Sequence, residues 1–485
     1  MKKVSFLSLF LLSSILCQIQ FGTFGLASRT SVQESPRDFS LNDNQNQDQQ
    51  TETIEDLEAE NDRLLAETAH YALDKFWEDD GNVEHYIATY QGSETMYKRN
   101  SKIIKTLHMI VSYHDRSTFR IKILDHENTR WEIPETFPFP HFKSQQLISK
   151  DRGDCRVEVK PNPFSFVVTR KSTEEILFDT RNKQFIYTDL YIELSTILPT
   201  AQVYGFGERN YKFKLSPGTF TIWGRDDPKL LEDGSGREGK NTYSHHPVGL
   251  MRERSGNFFL TLMRNSNAMD VIVHNSPSLT YKMVGGVIDL VFFIGDDYPD
   301  TVLRAYHNYI GNFVMMPFWS MGYHQSKWGY KSFEVMETVV KNYNSYDIPL
   351  DVIWSDIDYM IDKEIFTVDY TRFPPEKMKT FATTYKKKWV PIIDPGVKKE
   401  YPRGPGLQAG LEKDIFIKNK NGQNLLGEVW PGKVYFPDFF HPAIEQYWSE
   451  MLEVLYKIIP FSGIWLDMNE VANFVNGEHC KFLTF

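Results

Sequence analysis

With 485 residues, 41% of them hydrophobic and 24% charged, the chain has ordinary globular composition and length for about three domains at roughly 150 residues each. Its formal charge of -10 leaves no basic surplus to neutralise phosphates, which excludes a nucleic-acid partner as the leading role and favours a neutral or polar ligand. The 35 Phe, 25 Tyr and 10 Trp supply stacking surface for such a ligand.

Lys2 and Lys3 precede the largely apolar stretch Val4 to Leu16, and the small residues Gly25 and Ala27 follow where a signal peptidase cuts. Residues 1–27 are therefore predicted to be a signal peptide, with an uncleaved signal anchor as the alternative. The apolar stretch falls short of the roughly 20 residues that span a bilayer. No membrane span is expected after cleavage, and a secretory route follows, ending outside the cell or in a lysosome or vacuole. Cys155 and Cys480 would survive cleavage far apart in sequence, so disulfides are optional. No Asn-x-Ser/Thr acceptor is present, and no cysteine–histidine spacing suggests a metal. No cofactor is expected.

Residues 28–55, rich in Gln, Asn, Asp and Ser, cannot bury enough apolar area to offset their ordering entropy and are predicted to be a disordered linker. Asp56 to Glu78 carries Leu57, Leu64, Leu65, Ala69, Leu73 and Phe76 at helical spacing, which predicts an amphipathic helix. Short alternating runs then follow: Ile103 to Tyr113, Phe119 to Leu124, Phe164 to Thr169, Phe185 to Leu198, Phe258 to Met263, Met269 to His274 and Val287 to Ile294. Strands without intervening helices predict an antiparallel β-sandwich over residues 56–300. Two stretches interrupt it, a glycine corner at Tyr204 to Arg209 and a long charged loop from Trp223 to His246 that is either functional or disordered.

From residue 301 the period changes. Helices are predicted over Thr301 to Gly311, Phe333 to Tyr346, Glu376 to Lys387 and Ala443 to Ile459, and strands over Phe318 to Gln325, Leu350 to Asp356, Trp389 to Asp394 and Gly463 to Met468. A β-rich excursion covers Ile415 to Phe439. Alternating strands and helices imply βαβ units and a parallel sheet. His324, Asp356, Asp394 and Asp467 stand at carboxyl ends of these strands, which is where a β/α barrel builds its active site. A doubly wound nucleotide-binding sheet would need a glycine-rich phosphate turn, and His324 to Tyr330 is no such turn.

The last strand draws most attention. In an extended Gly463 to Glu470, alternation puts Trp465, Asp467 and Asn469 on one side, an aromatic plate, an acid and an amide together. That set suits a sugar, where a carboxylate must reach the anomeric carbon while an aromatic face covers the ring. The competing reading is a helix cap, because Asp467 with Glu470 three residues on has the form of a capping box.

Several separated stretches decide between them. Trp465-Leu466-Asp467-Met468-Asn469-Glu470 resembles the nucleophile strand of glycoside hydrolase family 31, the α-glucosidase family. Pro317 to Gln325 with Trp328-Gly329-Tyr330 is similar to the first barrel strand, Trp354 to Met360 to the second, and Pro391 to Pro395 to the third. Val429 to Gly432 with Phe436 to Phe439 resembles the loop before the nucleophile, and Trp223 to Asp226 the loop the sandwich domain lends to the site.

The resemblance implies a galactose-mutarotase-like β-sandwich followed by a (β/α)8 barrel, and a retaining hydrolase of terminal α-1,4-linked glucose on maltose-type oligosaccharides. Asp467 would be the nucleophile. Asp226 and Asp356 would accept hydrogen bonds from substrate hydroxyls, and Trp328, Val397, Trp430, Trp465 and Met468 would line the pocket. For the two acids a solvated or capping role, and for the tryptophans a place in the barrel core, remain the alternatives. Asp358 is expected to be structural. The family's second carboxylic acid, its general acid/base, comes in a Trp-x-Gly-Asp context that is absent here. Residues 301–485 are thus expected to form the first half of the barrel, inactive alone. The alternatives are a non-catalytic carbohydrate-binding chain, or an α-xylosidase or transglycosylase of the same family.

Overall fold

The computed structural model describes residues 70–79, 82–93, 95–97, 101–135, 147–224, 241–475 and 477–478. The predicted signal peptide, the linker, residues 56–69, Asp226 and Cys480 lie outside them. The chain divides into two compact units. One comprises the described residues up to Tyr204 with Val248–Asn265 and Ile272–Ile310, the other Gly205–Pro247, Ser266–Val271 and the described residues from Gly311 on.

The first unit is built of antiparallel strands: β1 (Tyr71–Asp79), β2 (Val83–Tyr90), β3 (Thr106–Tyr113), β4 (Thr118–Asp125), β5 (Cys155–Pro161), β6 (Phe164–Arg170), β7 (Ile176–Asp179), β8 (Ile192–Ile197), β9 (Asn241–Arg252, in this unit from Val248 on), β10 (Phe258–Met263), β11 (Ser278–Met283) and β12 (Ile288–Ile294). One sheet runs β1-β2-β3-β4-β12-β10-β9, the last through Val248–Arg252. The other runs β11-β8-β7-β6-β5. Alternation along β3 turns Leu107, Met109, Val111 and Tyr113 inward, each buried. Phe178 of β7 meets Phe292 of β12 edge-on at 5.4 Å, joining the two sheets. Helix α1 (Pro299–Ile310) lays Val302, Ala305, Tyr306 and Tyr309 over Val248, Leu260 and Phe293.

Three expectations for this half are corrected. The helix predicted for Asp56 to Glu78 is, over its described part, the strand β1. The helical spacing of Leu73 and Phe76 is overruled by pairing with β2 along the whole strand, and Phe76 packs on Tyr86 at 4.9 Å. The single strand predicted over Phe185 to Leu198 is broken by a turn. Thr188 Oγ1 accepts from Tyr191 N at 2.9 Å and donates to Tyr191 O at 2.9 Å. Tyr243 to Pro247, placed in a loop from the sequence, belongs to β9, and the glycine corner is a strand, Val203–Arg209, bent by positive φ at Gly205 (98°) and Phe206 (54°).

The second unit alternates strand and helix: β13 (His324–Gln325), α2 (Phe333–Ser345), β14 (Val352–Ser355), α3 (Pro375–Tyr385), β15 (Lys388–Ile393), β16 (Val397–Lys398), α4 (Gly406–Glu412), β17 (Leu426–Val429), β18 (Gly432–Tyr435), α5 (Ile444–Ile458) and β19 (Trp465–Leu466). β13-β14-β15-β19 form a parallel sheet, and β16-β18-β17 an antiparallel one inside the predicted excursion. Ser332 opens α2 by accepting from Val335 N, and Pro375 opens α3, which ends on Lys386 in the left-handed region at φ 53°. The helices bury Met336, Val340, Met378, Phe381, Tyr447, Met451 and Leu455 in one core with Ile353, Trp389 and Ile392.

Two predicted strands shrink. Phe318 to Gln325 begins as a 3₁₀ turn, Phe318–Met321, and only His324–Gln325 pairs. Pro317 precedes the turn and the Asp351 carboxylate accepts from Tyr323 N at 2.9 Å, which fixes the chain before pairing starts. Gly463 to Met468 pairs only at Trp465–Leu466, and the chain leaves the extended conformation at Met468, where φ is 61°. The architecture is thus an antiparallel β domain and a parallel β/α unit, with four parallel strands among the described residues where a closed β/α barrel has eight.

Candidate active site

The parallel register sets the site. Ile392 pairs with Trp465 and Ile393 with Leu466, so Asp394 and Asp467 follow at the same level on adjacent strands. Ser355 pairs with Pro391, which puts Asp356 one strand further and two residues lower. Asp467 N lies 3.5 Å from Ile393 O. The alternation also layers the inward residues. Trp354 and Trp465 meet at 5.5 Å, and Trp354 Nε1 donates to His324 Nδ1 at 2.9 Å. His324 Nε2 stands 3.0 Å from Ser320 O, so the ring carries its hydrogen on Nε2. Trp354 stands lowest, Asp356 is level with Trp465, and Asp394 and Asp467 follow two residues higher toward the strand ends.

The carboxylates differ. Asp394 is 2% exposed and its Oδ1 has no hydrogen-bond partner. Burial, with the charges of Asp467 and Asp356, pushes its carboxyl up to about 7. Asp356 is pushed up by burial, opposed by the hydrogen bond its Oδ1 accepts from Ile357 N at 2.7 Å, with smaller effects of Asp358 and Asp467. It therefore does cap a short 3₁₀ turn while facing the other acids. Asp358 Oδ2 accepts from Gly329 N at 2.9 Å and holds the turn that carries Trp328. That turn needs a glycine, since Gly329 has φ 101°.

No helix starts at Asp467; residues 469–471 form a turn, so the capping-box alternative does not apply. The positive φ of Met468 also breaks the alternation that would have aligned Asn469 with Asp467. Trp465 is half-buried and packs on the barrel core as well as on Trp354. Trp328 is exposed; Trp430, at the tip between β17 and β18, is partly exposed, with Lys363 Nζ over its ring at 5.3 Å and Phe474 edge-on at 4.8 Å. Val397 and Met468 are buried, Val397 in the main barrel core and Met468 among Val429, Val434, Phe436 and Ala472. A Cβ on Gly224 would stand 3.7 Å from Glu470 O, so the loop that leads to Asp226 departs from beside the Asp467 strand end. Asp226 itself lies outside the described residues.

Sequence reading noted Asp394 and His324 only as strand-end polar groups and missed the Trp354–His324 bond. Equal spacing of Trp354 and Asp356, and of Trp465 and Asp467, was the signal that could have found it. Among the described residues no group of three or more His, Cys, Asp or Glu is gathered as a metal site, and no helix is long and apolar enough to cross a membrane.

Residues 313–484 match the model of the glycosyl hydrolases family 31 TIM-barrel domain, and residues 108–266 that of the glycosyl hydrolase 31 N-terminal galactose mutarotase-like domain. The chain is 38% identical over 411 residues to a lysosomal acid alpha-glucosidase of Tetrahymena pyriformis, covering 82% of this chain and 44% of that protein. It is 35% identical over 408 residues to alpha-xylosidase 1 of Arabidopsis thaliana, covering 78% and 43%. It thus spans less than half the length of these relatives. Its fold is similar to that of the ER glucosidase II catalytic subunit in a heterodimeric complex, with a TM-score of 0.69 at 19% identity over 86% of this chain and 55% of that one. Two domain matches in chain order, over a sandwich and a parallel strand–helix sheet, place the chain in glycoside hydrolase family 31.

Proposed function

We propose that the protein is the N-terminal part of a retaining α-glucosidase of the secretory pathway or lysosome, acting on terminal α-1,4-linked glucose of maltose-type oligosaccharides. The observation that carries this reading is the gathering of Asp356, Asp394 and Asp467 at the ends of three adjacent parallel strands that also carry Trp354 and Trp465. Residues 56–300 serve as the sandwich domain and 301–485 as the first half of the barrel.

In the first step an Asp467 oxygen bonds to the anomeric carbon as the glycosidic bond breaks, giving a covalent glucosyl ester; in the second, water cleaves that ester with retention. Asp356, with Asp226 from the neighbouring loop, accepts hydrogen bonds from ring hydroxyls. A sugar lacking such a hydroxyl leaves a carboxylate unpaired, which discriminates strongly. Trp465 supports one side of the sugar, and Trp328 and Trp430 flank the opening. Protonation of the leaving oxygen is the task of a second carboxylic acid, as the two-carboxylate mechanism requires.

Hydrolysis of a chromogenic α-glucoside by the complete gene product, compared with Asp467→Asn, tests the assignment; equal turnover by both ends it. The similarity to an alpha-xylosidase keeps one second reading in view, and the same assay with the matching α-xyloside separates the two.

A further inference from the structure

The mechanism above leaves one acid of the cluster without a task. Asp394 is level with Asp467 on the adjacent strand, is nearly sealed from solvent, and keeps one oxygen without a partner. The titratable groups around it are Asp356, Asp467 and Tyr359. Tyr359 donates its hydroxyl hydrogen to Ile392 O at 2.8 Å and so has none to give Asp394. Asp356 is lower in register and already turned to Ile357 N. The neighbour at the right level is Asp467.

We propose that Asp394 is a positioning residue which, as a neutral acid, donates a hydrogen bond to the Asp467 carboxylate and holds one of its oxygens toward the anomeric carbon. The proposal rests on the assignment of Asp467 as nucleophile. Three neighbouring carboxylates at adjacent strand ends cannot all be ionised cheaply, and the one most deeply buried is the one to keep its proton. Burial and the charges of Asp467 and Asp356 hold the Asp394 proton up to about pH 7. The proton stays on Asp394 throughout: the bond from the anomeric carbon to the leaving group breaks, the bond to Asp467 forms, and the leaving group departs with the electron pair. Ionisation of Asp394 removes the donor and adds a charge beside the nucleophile, so the attack slows as pH rises through that range. An amide at this position keeps a donor and cannot ionise.

The test is the rate at which a 5-fluoro-α-glucosyl fluoride esterifies Asp467 in the complete gene product, followed by intact mass between about pH 5 and about pH 9. Fluoride leaves without a protein acid, so the readout reports the nucleophile side alone. The wild-type rate is expected to fall at least about fivefold around pH 7, the Asp394→Asn rate to stay within about twofold across the range, and Asp394→Ala to be slower by at least about tenfold throughout. A purely structural Asp394 would leave the wild-type pH profile in Asp394→Asn, and that result overturns the proposal, as does wild-type labelling by Asp394→Ala. Should Asp394→Ala fail to fold, the Asp394→Asn profile decides alone. Failure of wild type to be labelled at Asp467 instead refutes the nucleophile assignment, so the two failures are distinct.

Discussion

Replacing Asp394 by Asn removes an unusual pH dependence of stability. The folded-state pKa of Asp394 is raised from 3.8 to about 7, so the native state holds a proton that the unfolded chain has released. Between those values the native state binds more protons than the unfolded one, and stability therefore falls as pH rises. The contribution is fully present below 3.8 and lost above about 7. At 1.36 kcal/mol per pH unit of full slope, and with the slope fading near each pKa, wild type gives up about 3 kcal/mol between about pH 4.5 and about pH 7.5 through this group. Water entry and relaxation around the ionised group reduce this to about 2 kcal/mol. Asp394→Asn has no such loss, so it gains on wild type as pH rises. Urea denaturation followed by Trp fluorescence at the two pH values measures it, with Trp354, Trp389 and Trp465 as reporters in the same unit. A change in the wild-type minus variant difference of less than about 0.5 kcal/mol, or of opposite sign, refutes the electrostatic account of the cluster.

Other perturbations test neighbouring parts of the account. Asp467→Asn removes one of the charges that raise the Asp394 pKa, so the same denaturation series should show the stability loss shifted to lower pH. Arg170→Met strips Glu253 of its buried partner, with Arg170 Nε donating to Glu253 Oε2 at 2.8 Å in the wild type. A loss of about 3–5 kcal/mol near neutral pH is expected, relieved by acid as Glu253 protonates, and thermal unfolding at two pH values reads it. Trp354→Phe deletes the donor to His324 Nδ1 and should cost about 1 kcal/mol in the same measurement. Gly410→Val drives a Cβ into the Phe416 ring against α4, and calorimetry should show a loss of about 1–3 kcal/mol.

Much of this fold was legible because its elements announce their period. Phe258 to Met263, a short apolar run broken only by Thr261, is β10 residue for residue, and the amphipathic stripe of α5 is visible from Ala443 on. The failures have physical causes. β5, Cys155–Pro161, is paired only with β6 in its sheet and alternates charge with Val, so it lacks the apolar density of an inner strand. β1 shows a helical spacing, and only its partner β2 determines that it is extended. The strand-end positions of Asp356, Asp394 and Asp467 were readable because a parallel strand ends where its loop begins, and acids there are conspicuous. The condition of Asp394 was not readable. Its carboxyl is pushed up first by burial and then by the charges of Asp467, 73 residues after it, and Asp356, 38 before it, which come near it only when β14, β15 and β19 align.

The nucleophile assignment is tested most directly by trapping. Incubation of the complete gene product with the 5-fluoro-α-glucosyl fluoride, followed by trypsin and mass spectrometry, should place one fluoroglucosyl group on the peptide from Ile458 to Lys481, with fragmentation locating it at Asp467. A label on another carboxylate, or an enzyme that turns over α-glucosides while this peptide stays unmodified, would contradict the account.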